Sequence, residues 1–237
     1  MKQKLILLIC SLLLVSAVAA QEKPGNWIWL FNGKSTDAWR TTTSESFPEQ
    51  GWKVSGKEMT VLSKTETAPA GKDIITKEQF GNFELELECR LTEGANSGIK
   101  YFVVNTFPGN KGNYLGLECQ LIDNERHEDA KLGRDGNRKM ASLYDLIPAK
   151  ITRKILPPGK WNKIRIIVNG SHVEHWLNGE KVLEFNRHSN EYRELVRISK
   201  YNNLEGFGEH GKGHILLQGH SDEVSFRNIR IREIIKD

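Results

Sequence analysis

The sequence predicts an all-β fold, two antiparallel sheets stacked as a sandwich with one short covering helix, and three observations carry that prediction. Alternation is unbroken from Phe83 to Leu91: Phe83, Leu85, Leu87, Cys89 and Leu91 form an apolar row, and Glu84, Glu86, Glu88 and Arg90 a charged one. A period of two with one apolar row marks a strand that turns one face to a core. Asn169-Gly170 and Asn178-Gly179 are two-residue hairpin signals, since both residue types tolerate positive φ, and they set a meander across 161–185. Finally, short strand-like runs recur between turn residues at the spacing of a sandwich.

Residues 1–20 stand apart. Lys2 and Lys4 precede the apolar run Leu5 to Val15, and Ala17-Val-Ala-Ala20 supplies small residues for cleavage, the pattern of a secretory leader that implies export, to the periplasm or beyond. Residues 21–237 then suit one large β domain, and no later apolar run is long enough to span a bilayer. Strands are predicted at 51–54, 59–62, 83–91, 97–104, 114–122, 163–168, 171–177, 180–186, 214–218 and 224–232. A helix is predicted over 189–200, where Tyr192, Leu195, Val196 and Ser199 share one face behind a Ser189 cap. Between 123 and 156 lies a long, polar, charged loop of the kind that carries function on β scaffolds.

Composition narrows the function. A formal charge of +4, with Lys and Arg interleaved among Asp and Glu, gives no basic patch for nucleic acid. Cys89 and Cys119 fall on apolar strand faces and read as small core hydrophobes. Trp39, Trp52 and Trp161 read as core, and Trp176, beside a hairpin turn, as core or as a platform for stacking a sugar.

The run Tyr114-Leu-Gly-Leu-Glu-Cys-Gln-Leu-Ile-Asp123 is the most informative stretch. It sets Glu118 and Gln120 on one face and Leu115, Leu117, Cys119 and Leu121 on the other, so a polar sheet surface lies over an apolar core. By the same parity Glu88, Lys100, Gln218 and His220 face a polar side.

These segments recur in order with Leu30-Phe-Asn-Gly-Lys34, Asn96-Ser-Gly-Ile99, Gly159-Lys-Trp-Asn162, Trp176-Leu-Asn-Gly179, Ser199-Lys-Tyr201 and Leu217-Gln-Gly-His-Ser-Asp-Glu-Val-Ser-Phe-Arg-Asn-Ile229. The ordered set resembles the 3-keto-disaccharide hydrolase domain family. The resemblance implies a concanavalin A-like jelly-roll sandwich and cleavage of glycosides already oxidised to a ketone at C3. It also implies a separate oxidoreductase as functional partner. Family members often carry Leu-Gln-Asp-His-Gly where this chain has Leu217-Gln-Gly-His-Ser221, and His-Pro-Asp-Ala-Lys where it has His127-Glu-Asp-Ala-Lys131. The Asp missing at Gly219 removes an orienting partner for His220.

A C3 ketone acidifies the hydrogen on C2, so a base can remove it and the enolate can expel the C1 substituent; water then adds. This chemistry needs a base, an electrophile near the ketone oxygen and an acid near the leaving oxygen. Glu118 is the candidate base or metal ligand. Lys100 either polarises the ketone or simply pairs with Glu118. His220 and Tyr144 are candidate acids, with Asp145 as an orienting carboxylate. Gln120, Gln218, Asn96, Glu88 and Trp176 are candidate substrate contacts, the amides because they both donate and accept. Asp123, His127 and Asp129, within an acidic cluster that also holds Glu125 and Glu128, are candidate ligands for a divalent metal. The loop over 123–144 is expected to close on the same cleft. Arg227 and Asn228 read as structural, and Lys200 is weighed with them.

Two rivals remain. A retaining glucanase carries Glu-x-Asp-x-x-Glu on one strand, whereas the five-residue offset from Glu118 to Asp123 puts these carboxylates on opposite faces. A lectin-like carbohydrate-binding module shares the fold but needs no concentration of base and cation.

Overall fold

Alternation sets which face each side chain takes, while both faces of the strands at 83–91 and 114–122 are largely buried. The computed structural model describes residues 23–105, 114–152 and 155–235; the leader expected at 1–20 lies outside them. The strands are β1 (Lys23–Pro24), β2 (Ile28–Phe31), β3 (Trp39–Thr41), β4 (Trp52–Ser55), β5 (Glu58–Val61), β6 (Ile74–Thr76), β7 (Phe83–Leu91), β8 (Asn96–Asn105), β9 (Tyr114–Ile122), β10 (Asn162–Asn169), β11 (His172–Leu177), β12 (Glu180–Asn186), β13 (His214–Leu217) and β14 (Val224–Ile235). Helix α1 (Asn190–Arg197) precedes β13. Among the described residues, nine strands form one antiparallel sheet, ordered β12-β11-β10-β7-β14-β5-β4 with β1 and β2 also on β14. Five form the other, ordered β3-β6-β13-β8-β9.

The core lies between the sheets. Phe83, Leu85 and Leu87 of β7, Ile164 and Ile166 of β10, and Phe226 and Ile231 of β14 meet Ile99 and Tyr101 of β8, Leu117 and Cys119 of β9, and Leu217 of β13. Removing this apolar surface from water is the main term that stabilises the sandwich. Cys89 and Cys119 are buried free thiols, and burial pushes the Cys89 thiol up to about 12. Phe102, at φ 53°, is an inserted residue where the β8–β9 register shifts. The bulge sends Phe102 inward beside Tyr101 and turns Val103 to a small outer cluster with Ile75 and Leu216.

The outer face of the nine-stranded sheet is a ladder of ion pairs. Glu84 is held by Arg165 and Arg232, Glu86 by Arg230 and Lys163, Glu88 by Arg227, and Arg90 by Glu58. Trp161 belongs to this face, half-buried beneath the guanidinium groups of Arg90 and Arg227, and not to the core as expected; Trp39 and Trp52 are core. Strands β1, β3 and β6 went unread because two or three residues are too few to show alternation, and β2, Ile28-Trp-Leu-Phe31, because all four of its residues are apolar. The Ser189 side chain caps α1 by accepting from the Tyr192 N–H, and the buried Tyr192 ring stacks on Phe185.

One polar residue bridges the two sheets. His175 of β11 is fully buried, its Nδ1 3.0 Å from the Ala141 carbonyl and its Nε2 2.9 Å from the Tyr101 hydroxyl. A carbonyl only accepts, so Nδ1 carries the proton and Nε2 accepts from the tyrosine. Burial lowers the pKa to about 4 from an ordinary 6.5, so the unfolded chain takes up this proton first. Stability is therefore full above pH 6.5 and falls as pH descends toward 4, by on the order of 3 kcal/mol. Denaturant melts across that window are expected to show the decline, and His175→Gln to flatten it.

Candidate functional site

β8 and β9 lie side by side with Lys100 opposite Glu118 and Gly98 opposite Gln120. Their odd-numbered β9 residues enter the core, so Glu118 and Gln120 face outward from the five-stranded sheet, as parity requires. Gly98 makes room for the carboxyl: a Cβ there would stand 2.2 Å from Glu118 Oε1. The edge of β9 is closed by the loop that follows it. Gln120 N–H donates to the Ser142 carbonyl, Ala141 N–H to the Gln120 carbonyl and Tyr144 N–H to the Glu118 carbonyl, which satisfies the edge and sets Tyr144 beside Glu118.

A cavity of about 150 Å³ results, lined by Asn96, Lys100, Glu118 and Gln120 from the sheet, Gln218 and His220 from the stretch just after β13, Tyr144 from the loop, and Lys200 and Tyr201 from the segment after α1. Lys100 Nζ lies 3.8 Å from Glu118 Oε2, both largely buried. Burial raises the Glu118 pKa against the pull of Lys100 and Lys200, and Asp73 adds to the rise. The Tyr144 hydroxyl is bonded to Asp129; burial and that carboxylate both hold its pKa up, so it keeps its proton.

A polar chain ties the loop to the segment after α1. Arg138 donates to Asp129 (2.8 Å) and to Asp145 (2.8 Å), and the other Asp145 oxygen accepts the Lys200 backbone N–H at 2.9 Å. The carboxylates of the expected metal set are bonded within the protein. Asp129 is engaged by Arg138 and Tyr144, and Asp123 by the N–H groups of Gly94 and Glu125 and by Arg126, which hold its carboxyl below the usual range. The groups that converge are His127, His220 and Asp222, whose ligand atoms lie within 4.8 Å of one another. His127 Nδ1 accepts the Asp129 N–H at 3.1 Å, and one Asp222 oxygen accepts the Asn96 N–H at 2.9 Å.

Two expected substrate contacts lie elsewhere. Glu88, on β7 of the nine-stranded sheet, is bound by Arg227 and Asn228. Trp176 donates to Glu174 under the Arg165 guanidinium. Both belong to the outer face of the opposite sheet, because parity assigns a face and not a sheet. Tyr201, Asp222 and Asp73 escaped the sequence reading, and Lys200, weighed there as structural, lines the cavity; Ser199-Lys-Tyr201 was the signal that could have found both Lys200 and Tyr201.

Gly219 is explained by its neighbours. A Cβ at that position would stand 2.2 Å from the Gly71 carbonyl oxygen, so no side chain fits. Its N–H instead donates to Asp73 at 2.9 Å, and this carboxylate lies in electrostatic reach of Lys100 and His220. Asp73 thus brings a carboxylate to the neighbourhood of His220 from a different part of the chain.

Residues 26–232 match the model of the 3-keto-alpha-glucoside-1,2-lyase-like domain. A 3-keto-disaccharide hydrolase of Bacteroides thetaiotaomicron is 36% identical over 229 residues, covering 87% of this chain and 78% of the relative. A Parabacteroides distasonis structure provisionally named a glycosyl hydrolase aligns with TM-score 0.75 at 28% identity, over 88% of this chain and 94% of that one. A galectin-like protein of unknown function from Bacillus subtilis, at 13% identity and TM-score 0.55 over 92% of this chain and 100% of its own, shares the fold. The jelly-roll expectation holds.

Since burial raises Glu118 and Lys100 lowers it, the Glu118 carboxyl is expected to titrate above 4.5, and Lys100→Met to move the titration higher still. Carboxyl-carbon NMR of the two proteins across pH 4 to 9 reads both shifts.

Proposed function

The chain belongs to the 3-keto-alpha-glucoside-1,2-lyase-like family, and on that footing we propose that it is an exported carbohydrate-cleaving enzyme acting on glycosides oxidised at C3. The observation that carries this reading is a buried carboxylate, raised in pKa, in one cavity with two lysines, amides and a protonated tyrosine. A lectin-like module has no use for such a base, whose burial costs stability.

In the proposed reaction the Glu118 carboxylate takes the proton from C2, and the C2–H electron pair passes to the C3 oxygen as an enolate. The pair then returns, the C1–O bond breaks and the leaving oxygen takes a proton from Tyr144. Water adds to C1 of the unsaturated ketone while C2 regains a proton, giving net hydrolysis. Gln120, Gln218 and Asn96 hold ring hydroxyls. Formation of the ketone is a two-electron oxidation, so a partner oxidoreductase supplies the substrate, and the leader at 1–20 supports a meeting outside the cytoplasm.

Two imidazoles and a carboxylate are a suitable donor set for a divalent transition ion, so His127, His220 and Asp222 would hold the metal. Ligation by His127 Nε2 requires the ring proton on Nδ1 and gives up the Asp129 N–H bond. A bound ion supplies a Lewis acid for a substrate oxygen.

The mature protein is expected to cleave 3-keto disaccharides and leave the unoxidised sugars intact; equal cleavage of both would return the conventional glycosidase. Glu118→Gln is expected to lower kcat by about 10²–10⁴-fold with an unchanged melting profile. Elemental analysis after dialysis against a divalent ion is expected to find one equivalent bound, lost in Asp222→Ala and kept in Asp123→Ala. An equal loss in both variants would return the ligands to the acidic loop.

A further inference from the structure

We infer that Lys200, and not Lys100, is the cation that meets the C3 carbonyl oxygen and holds the enolate charge. This rests on the reaction proposed above and assigns a catalytic residue to it. Both lysines line the same cavity as Glu118, but their surroundings differ. The Lys100 ammonium is matched by the Glu118 carboxylate at 3.8 Å. Lys200 has no carboxylate within ion-pair distance among the described residues. Its Nζ stands 4.0 Å over the Tyr144 ring and 5.2 Å from the Tyr201 ring. Ring faces attract a cation without neutralising it.

The fold invests structure in that position. The Asp145 carboxylate fixes the Lys200 backbone N–H, and Arg138 fixes Asp145. The two rings then aim the ammonium into the cavity. Lys200 is exposed on its solvent side, yet partial desolvation, with Lys100 and Arg138 nearby, lowers its pKa against the pull of Glu118 and Asp145, so the ammonium is less than fully compensated. An anion that forms only as the reaction proceeds completes that compensation, so the stabilisation is larger in the transition state than in the bound ground state. Lys200 keeps its proton throughout: the C2 hydrogen leaves to Glu118, the electron pair goes to the C3 oxygen, and the ammonium donates a hydrogen bond to it. Lys100 is left the separate task of setting the basicity of Glu118.

A 3-keto sugar with hydrogen in place of the C1 substituent tests this, because it can enolise but has nothing to expel. Exchange of its C2 hydrogen with D₂O, followed by NMR, reports the first step alone, and isothermal titration reports binding of the same ketone. Lys200→Met is expected to lose about 100-fold in exchange rate while Kd moves less than about tenfold, and Lys200→Arg to recover part of the rate. Lys100→Met is expected mainly to shift the pH at which exchange sets in. Circular dichroism melts establish that the variants fold, and Lys200→Gln replaces Lys200→Met if the latter does not. Exchange at the wild-type rate in Lys200→Met or Lys200→Gln overturns the assignment, as does a larger loss in Lys100→Met. Failure of the wild-type protein to exchange or cleave any 3-keto sugar overturns the reaction itself, and the assignment falls with it.

Discussion

The site depends on one cross-strand pair, Glu118 against Lys100, held at 3.8 Å on the outer face of the smaller sheet. A carboxylate shielded from water is a stronger base and a less stable anion, and an adjacent ammonium pushes the other way. Burial prevails at Glu118, and the carboxyl is raised from its ordinary value against the pull of Lys100. The surrounding features serve that balance. Gly98 leaves space for the carboxyl, the loop covers the edge of β9, and Tyr144 and Lys200 close the side open to solvent.

The covering parts are rigid for a reason visible in their bonds. Asp129, Arg138 and Asp145 form a charge-assisted chain in which each carboxylate engages a second partner, Tyr144 at one end and the Lys200 backbone at the other. Such bonds are stronger than neutral ones. His175 fastens the same loop from beneath through the Ala141 carbonyl. The loop is thus held from the cleft and from the core at once, which suits a group that must meet substrate without first being ordered.

Much of this was legible in the sequence. The alternation of β7 and β9, the Asn-Gly turns and the Ser189 cap rest on local rules, and the structure keeps all of them. Parity also placed Glu118, Gln120, Lys100, Gln218 and His220 on one surface. It failed at Glu88, because period two says which face a side chain takes but not which of two sheets the strand joins. The acidic loop shows another limit: the N–H and guanidinium partners of Asp123 and Asp129 are fixed by loop conformation, which sequence does not show. Asp73 and Lys200 carried no periodic signal, since each sits outside a strand and reaches the site through tertiary approach.

The close approach of Gly219 to Gly71 has a meaning for how this chain can vary. The backbone at 71 occupies the volume that a side chain at 219 would need, and a side chain at 71 is itself blocked by the Gly51 carbonyl and Val61. An aspartate returned to 219 would have to displace the 71–73 segment, and with it the Asp73 carboxylate and the Trp52 anchor on the Lys72 carbonyl. Positions 71, 73 and 219 therefore behave as one inherited unit. A relative can keep its carboxylate on either side of that contact, and single exchanges between the two arrangements pass through a form that has two carboxylates competing for one space or none at all.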